Sequence, residues 1–201
     1  MSDTRIILNA INEIGNSKEC AFRVTNWLQE NKINEKNKSH CLLGLEDLGY
    51  KPSINYPKVV EYNNEILKFS TCGFESSTKK EVFNRMQFNT ATKVCCPICN
   101  ENRFEGNTES DFYQELVSSE TLEMYYEFQD GFENWENEKE TLINCPKCKN
   151  SSLVENYIYE PKMYFSNLAF YFWNWAELKF DFITELEEKI GFKMNNSFER
   201  I

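Results

Sequence analysis

Two tetrapeptides of one pattern, Cys-Pro-x-Cys, constrain this chain more than any other feature of its sequence. They are Cys96-Pro97-Ile98-Cys99 and Cys145-Pro146-Lys147-Cys148. Two intervening residues let a tight turn point both sulfurs at one ion, and the proline, whose φ is fixed, helps to shape that turn. Two such turns facing each other supply four thiolates in a tetrahedron, which suits Zn²⁺. Because four thiolates leave no position open for water, the predicted zinc is structural.

The paired turns resemble a zinc ribbon, which would span residues 94–150; the resemblance covers only the two CPxC turns and the strands that flank them. Forty-five residues (100–144) separate Cys99 from Cys145, whereas compact ribbons have about 15–20. The predicted ribbon therefore carries a long insertion. Asn100 and Lys149 follow the two pairs, where small ribbons and rubredoxins often have glycine. This departure favours zinc over rubredoxin-type iron, although the ligand set by itself accommodates either metal.

The remaining cysteines and the apolar runs bear on where the protein resides. The sequence from Met1 shows no cationic start followed by an apolar run, so we expect no secretory signal. The longest strongly apolar run, 168–173, is far shorter than the roughly 20 residues of a membrane span. We therefore expect a cytoplasmic protein with reduced thiols and no membrane partner. Four cysteines are predicted to fill core positions: Cys20, Cys41, Cys72 and Cys95.

Nearly all of the net charge of −10 lies in one segment. Residues 101–140 carry thirteen Asp/Glu against two Lys/Arg, a charge of −11, whereas residues 1–50, 51–100 and 141–201 carry −1, +3 and −1. The same segment holds eight aromatic residues. A disordered acidic tail is normally poor in aromatic residues, so we expect this insertion to be folded.

Dense carboxylates interleaved with aromatic rings attract basic proteins, and the rings supply anchors for the contact. We therefore predict a non-enzymatic protein that acts by protein–protein interaction. Its most concrete form is an immunity or inhibitor protein that covers a basic, nuclease-like toxin; the alternative is that the acidity only keeps the protein soluble. The residues predicted to contact the partner are Asp111, Glu115, Glu120, Glu123, Tyr126, Glu127, Asp130 and Trp135.

Motifs typical of enzymes are absent from the sequence. There is no Gly-rich phosphate loop, no GxSxG and no HExxH, and glycine totals seven. The lone histidine, His40, adjoins Cys41, and sequence neighbours on a helix do not face each other to form a catalytic dyad. We expect that the protein is not an enzyme; a small-molecule pocket under Trp173 and Trp175 is the remaining ligand-binding alternative.

The predicted fold is α+β in one compact unit. Residues 1–50 form a helical part, with helices at 5–14, from 17 and at 39–48, and residues 51–201 hold a mixed sheet with the ribbon (94–150) and C-terminal helices. Three helices followed by a hairpin at 59–69 are the order of a winged helix. This order gives the alternative function, a nucleic-acid-associated or transcription-related factor. The 39–48 helix has Glu46 and Asp47 but no Lys or Arg, which disfavours direct nucleic-acid binding.

The C-terminal part contains the densest aromatic run, residues 168–178, which is predicted to be helical and buried. A last amphipathic helix uses Phe182, Ile183, Leu186 and Ile190 and ends at Gly191, and residues 192–201 are predicted to form an edge strand. The 168–178 run also resembles the endings of bacterial proteins that carry paired CPxC motifs. That resemblance implies no particular activity.

Overall fold

The computed structural model describes residues 3–43, 48–61, 71–85, 93–105 and 119–201. The chain divides into two compact units. The sheet unit comprises residues 1–79 and 166–201, and the knuckle unit comprises residues 80–165. This division differs from the predicted one, which separated residues 1–50 from 51–201 within one compact unit.

The described residues form an α+β structure with three helices. The helices are α1 (Ser17–Glu30), α2 (Ser119–Glu136) and α3 (Phe180–Ile190). The strands are β1 (Thr4–Ala10), β2 (Asn34–Ser39), β3 (Gly49–Pro52), β4 (Gly73–Ser77), β5 (Glu81–Phe83), β6 (Lys93–Cys95), β7 (Asn102–Glu105), β8 (Leu142–Asn144), β9 (Ser151–Leu153), β10 (Ile158–Glu160), β11 (Tyr164–Ser166), β12 (Ala169–Trp173) and β13 (Met194–Arg200). Short 3₁₀ turns cover Tyr56–Lys58 and Val154–Asn156.

The sheet unit is built on six strands in the order β13-β1-β12-β4-β3-β2. Each neighbouring pair in this order is antiparallel, so the prediction of a mixed sheet is wrong for this sheet. β4 and β12 are neighbours, with Ser77 opposite Ala169, and the whole knuckle unit is inserted in the chain between them.

The N-terminal segment is a strand, which corrects the predicted helix at residues 5–14. β1 lies between β12 and β13, and every residue from Ile6 to Ala10 is buried. An amphipathic helix would leave part of this stretch exposed. A strand whose side chains are buried on both faces of its sheet shows a continuous apolar run instead. Ile6-Ile7-Leu8 is such a run.

The aromatic run near the C-terminus is also a strand. β12 is buried at all five positions and pairs with β1 on one side and β4 on the other. The prediction that these aromatic residues lie in the core is confirmed, but the predicted helix is wrong. β-Branched and aromatic residues fit the pleated surface of a central strand well, and alternate residues of β12 point to opposite faces.

Helices α1 and α3 cover one face of this sheet. The helix predicted from residue 17 is confirmed as α1, and the predicted end of the last helix at Gly191 is confirmed by its left-handed φ of 88°. Trp27 of α1 stacks on Phe182 of α3 with ring centroids 5.8 Å apart. The predicted edge strand at 192–201 is confirmed as β13.

The knuckle unit contains two hairpins whose turns are the two CPxC tetrapeptides. β6 and β7 flank the first turn, β8 and β9 flank the second, and each pair is antiparallel. β10 extends the first hairpin by pairing with β6, and β5 pairs with β11. Both turns and the strands that flank them agree with the hairpins expected from the resemblance to a zinc ribbon.

Helix α2 occupies the acidic insertion and belongs to the core of the knuckle unit. Phe128, Phe132 and Trp135 are buried at helical spacing, and they share one apolar cluster with Cys96 and Cys145. A Cβ added at Gly131 would lie 3.1 Å from Val154 Cγ2, so this glycine lets α2 approach the 3₁₀ turn at Val154–Asn156 closely. The insertion is therefore folded onto the hairpins over residues 119–136, as the aromatic content predicts.

Several predicted elements lie partly or wholly outside the described residues. The hairpin predicted at 59–69 falls mostly on residues 62–70, which are not described. The helix predicted at 39–48 includes the undescribed residues 44–47, but Ser39 ends strand β2 and Gly49 begins β3. The three-helix order expected for residues 1–50 is therefore not present in the part of the chain that the structure describes.

A buried asparagine ties together three segments at one end of the sheet. Asn174, which follows β12, has a left-handed φ of 52° and is 6% exposed. Its Oδ1 accepts a hydrogen bond from the Thr4 backbone N–H at 2.8 Å. Its Nδ2 donates to Asp3 Oδ1 at 2.6 Å and to Thr71 Oγ1 at 2.9 Å.

Asn174→Asp is expected to destabilise the sheet unit by about 3 kcal/mol at neutral pH. The substitution removes the Nδ2 donor and places a second carboxylate beside Asp3. Protonating one carboxyl relieves the repulsion, so the loss should shrink as the pH falls. Denaturant unfolding at several pH values measures this. Asn174→Gly keeps the left-handed backbone without the added charge and should lose stability almost independently of pH; equal pH dependence in both variants would contradict this account.

Candidate metal centre

The two CPxC turns have the same backbone hydrogen bonds. The Asn100 N–H donates to the Cys96 carbonyl at 3.0 Å, and the Lys149 N–H donates to the Cys145 carbonyl at 2.9 Å. The first cysteine of each turn donates its own N–H to a carbonyl five residues later, at 2.9 Å in both cases. Two separate hairpins thus present their cysteines in the same local geometry.

The residue after each pair takes a left-handed conformation, with φ of 58° at Asn100 and 62° at Lys149. Glycine adopts this conformation without steric cost, and asparagine tolerates it better than most residues. Both positions thus take the backbone conformation that glycine adopts most readily, although neither residue is glycine.

The four sulfurs converge on one point. Cys96 Sγ lies 3.9 Å from Cys148 Sγ, and Cys99 Sγ lies 3.7 Å from Cys145 Sγ. All four sulfurs lie within 4.8 Å of one another. A tetrahedron with Zn–S bonds of about 2.3 Å has S–S edges of about 3.8 Å. The four predicted ligands therefore form a group with the donor type and spacing of a zinc site.

The protein surroundings favour the thiolate form at two of these ligands. Backbone N–H donation by Cys148, and then by Lys147, lowers the pKa of the Cys145 thiol to about 6. Backbone N–H donation by Asn150 lowers the pKa of Cys148. Thiolates are the form of cysteine that binds metals, so the second turn favours the metal-binding form at both of its cysteines. In the first turn, backbone N–H donation by Glu101 is outweighed by burial and by the hydrogen bonds with the other three thiols, which raise the pKa of Cys99 to about 11.

Two ion pairs support the turns, and the sequence alone did not single them out. Lys147, inside the second turn, pairs with Glu101, which follows the first turn. Arg103 is 8% exposed; its Nη1 donates to the Asn144 carbonyl at 2.6 Å, and its Nη2 lies 3.3 Å from Glu127 Oε2. Arg103 thus connects α2 to the residue that precedes Cys145.

The predicted partner-binding residues fall into three groups. Asp111 and Glu115 lie outside the described residues, as does the side chain of Glu120. Glu123, Tyr126 and Asp130 are exposed on one side of α2, and Tyr126 is 55% exposed. Glu127 lies on the same side but is half-buried and pairs with Arg103.

Trp135 lies in the core and not on the surface, which corrects its assignment to the partner-binding set. It is 4% exposed, and its ring meets Phe165 edge-on with centroids 5.3 Å apart. Its spacing from Phe128 and Phe132, seven and three residues, places it on the buried side of α2. That spacing is visible in the sequence and is the signal that could have found its position.

Part of the negative charge of α2 is neutralised within the knuckle unit. Arg85 lies 3.4 Å from a Glu133 carboxylate oxygen and 3.3 Å from one of Glu136. Within the described residues, Glu123 and Asp130 form no ion pair. These two carboxylates and Tyr126 are therefore exposed side chains of α2 outside the ion pairs of the described residues, and we call them the acidic face.

The other residues that the sequence singled out are not part of the four-sulfur group. Cys20, Cys41 and Cys72 are buried, as predicted, whereas Cys95 is half-buried and lies outside the four-sulfur group. Trp175 is 3% exposed within the core of the sheet unit. Trp173 is 7% exposed, and its Nε1 donates to Glu75 Oε1 at 2.8 Å. His40 is exposed.

None of the helices in the described part of the chain has the length and apolar character that a membrane span needs. No protein-family model, no curated protein and no solved structure matches this chain. What can be concluded about its function therefore rests on the four-cysteine centre, the acidic face and the chemistry of the residues that form them.

Proposed function

We propose that the four-cysteine centre holds a structural Zn²⁺ and that the knuckle unit is a non-enzymatic binding module for a basic protein. The most concrete form of this function is an immunity or inhibitor protein that covers a cationic toxin, such as a nuclease. Zinc would be held by Cys96, Cys99, Cys145 and Cys148, and its role would be to join the two hairpins. A cytoplasmic location accords with reduced thiols at this centre.

The observation that carries the binding proposal is the acidic face of α2. Its carboxylates stand beside an exposed tyrosine, on a helix whose opposite side is held in the core by Phe128 and Phe132. Charges held on a rigid element accelerate encounter with an oppositely charged partner, and an aromatic ring supplies contact area at low entropic cost.

Metal binding at the four-cysteine centre would stabilise the conformation of the acidic face. Cys96 and Cys145 share the apolar cluster of α2, and Arg103 links Glu127 to the residue before Cys145. Because a structural zinc site contributes its binding energy to folding, metal binding would stabilise the surface that meets the partner. This connects the two halves of the proposed function.

The alternative function, a nucleic-acid-associated factor, has no specific support in the described structure. The three-helix order on which it depends is absent from the described residues, and β2 carries its two lysines, Lys36 and Lys38, beside Glu35. Phosphate contact requires a basic face. Retention on DNA or RNA at low salt, lost when Lys32, Lys36 and Lys38 are neutralised, would favour it.

A charge-reversal comparison tests the binding proposal. The tagged chain is first used to capture partners from nuclease-treated lysate at low salt, and bound proteins are released by rising salt. Glu123→Lys combined with Asp130→Lys should lower the association rate with the captured basic protein about tenfold or more, because electrostatic steering is lost. The rate for the parent chain should itself fall steeply with salt.

The matched control applies the same charge change elsewhere. Glu185 and Glu188 are exposed on α3 of the sheet unit, and reversing both should change the association rate by no more than about twofold. Association that is insensitive to salt, or that responds equally to both double reversals, would contradict a role for the acidic face. Retention of DNA or RNA from a parallel lysate that has not been treated with nuclease, in place of a basic protein, would support the alternative function.

A further inference from the structure

Strand β13 is an open edge of the six-stranded sheet. It pairs with β1 over seven consecutive residue pairs, from Thr4 opposite Arg200 to Ala10 opposite Met194, without a register shift. Among the described strands it has no other neighbour. A regular edge strand of this length is a template for pairing with another strand.

The ladder determines which groups of β13 face outward. The Ile201 N–H donates to the Asp3 carbonyl, whereas the Thr4 carbonyl accepts from Asn174 on the other side of β1. Hydrogen-bonded and non-hydrogen-bonded pairs alternate in an antiparallel ladder. It follows that Asn196 and Phe198 direct their backbone N–H and C=O groups away from β1.

The opposite edge of the sheet is built differently. β2 carries the exposed charges Glu35, Lys36 and Lys38, and its register with β3 shifts between Asn34 and Lys38. Lysines and bulges are devices that prevent edge-to-edge pairing. The middle of β13, Asn195 to Phe198, has no charged side chain and no bulge. One edge is thus protected against pairing and the other is not.

An apolar ring and a groove lie along this open edge. Phe198 is 65% exposed although its Cα partner in β1, Ile6, is buried. Beside β13 is a groove of about 360 Å³ lined by three apolar residues, Ile6, Leu178 and Phe198, and three polar ones, Glu177, Asn196 and Ser197. An exposed phenylalanine next to a groove of mixed polarity, at an edge with no partner among the described strands, provides side-chain contacts in addition to backbone hydrogen bonds.

We propose that β13 pairs with β13 of a second copy of this chain, antiparallel and centred on Ser197, to form a two-fold symmetric dimer. This register places the outward-facing Asn196 opposite Phe198 of the second copy, and the reverse by symmetry. Both pairs can then exchange N–H···O=C bonds. The two Phe198 rings become diagonal neighbours on one face, within reach of each other.

The charges of β13 favour a second copy as the occupant. In this register Glu199 faces Asn195 and Arg200 faces Met194, so no like charges are opposed. The sheet unit has 14 Lys/Arg against 16 Asp/Glu in its sequence, a net charge of −2. The chain's large negative charge therefore lies in the knuckle unit, and repulsion between two sheet units is small. This proposal is independent of the proposed function.

Complementary charges at the two outward positions test the pairing. Asn196→Lys with Phe198→Lys sets lysine opposite lysine in a homodimer, and Asn196→Glu with Phe198→Glu sets glutamate opposite glutamate. Sedimentation of the parent chain should show a dimer, and each variant alone should be a monomer at the same concentration. An equimolar mixture of the two variants should recover the dimer, since every opposed pair is then of opposite charge.

Three results would overturn the proposal. They are a parent chain that stays monomeric up to about 1 mM, the weak end of specific association; variants that remain dimeric alone; and a mixture that stays monomeric. A retained far-ultraviolet circular dichroism spectrum and a cooperative melt show that both variants still fold, as expected for substitutions at exposed side chains; their melting temperatures should fall only by what the loss of association removes. Ser197→Thr provides a control without added charge at the centre of the proposed register and should leave the dimer intact.

Discussion

Replacing Cys96 with serine is expected to release the metal and to unfold the knuckle unit. The Cys96 sulfur is fully buried, lies 3.9 Å from that of Cys148, and belongs to the same apolar cluster as Phe128 and Phe132. A structural zinc site contributes about 10–16 kcal/mol of apparent binding energy at neutral pH. This is comparable to the whole stability of a typical domain, about 5–15 kcal/mol.

Metal content and unfolding together check this expectation. Native mass spectrometry should find zinc on the parent chain and none on the variant, and near-ultraviolet circular dichroism should lose the signal of the packed aromatic rings of the knuckle unit. A chelator added to the parent chain should reproduce the variant. The control is Cys95→Ser, which changes the neighbouring, half-buried cysteine outside the four-sulfur group. A Cys96 variant that melts like the parent would show that the centre is not a metal site.

Phe172→Ala is expected to destabilise the sheet unit by about 3–5 kcal/mol. The Phe172 ring is fully buried in the central strand β12 and contacts Phe74, Trp175 and Phe182, with centroid distances of 5.2, 4.9 and 6.2 Å. Alanine leaves a cavity at the point where the sheet meets α3, and a close-packed core relaxes only partly around such a cavity.

The matched control is Phe180→Ala, which removes the same ring from the first turn of α3. Phe180 is 76% exposed, so its loss should change stability by less than about 0.5 kcal/mol. Denaturant unfolding followed by intrinsic fluorescence measures both variants. Equal losses for the two would contradict the placement of Phe172 at the centre of this core.

The four-cysteine group could be predicted from the sequence because its chemistry is local. Two CPxC tetrapeptides specify their own turns, and two pairs of thiols are best satisfied by sharing one ion. The last helix was predictable for a similar reason, since Gly191 marks its end and the apolar spacing before it is helical. Neither inference depends on what the rest of the chain contributes.

The N-terminal strand could not be predicted in this way, because its periodicity is ambiguous. The apolar residues at positions 6, 7, 10, 11 and 14 fit a helical stripe, whereas the run Ile6-Ile7-Leu8 fits a buried strand, and so short an apolar pattern does not distinguish the two. β1 is a strand because β12 and β13, more than 150 residues later in the chain, pair with its two edges. The 168–178 run was misassigned for the same reason.

The composition of the acidic segment predicted its folding but not the sorting of its residues. The charge count treats residues 101–140 as one linear segment, whereas the burial of each residue depends on which face of α2 carries it. Trp135 lies on the buried face and Tyr126 on the exposed face. Arg103 is one of only two cations in the segment. Its function as the buried counter-ion of Glu127 depends on β7 lying beneath α2 and could not be inferred from its position in the sequence.

Because the knuckle unit is inserted between the paired strands β4 and β12, binding of the proposed metal would affect the sheet unit through chain entropy. A folded insert with adjacent ends acts on the sheet as a short hairpin loop does. An unfolded one becomes a free loop of 86 residues, and closing it costs about 0.6 kcal/mol more for each doubling of loop length. Loss of the ion would therefore weaken the sheet by about 2 kcal/mol, with no contact between the two units required.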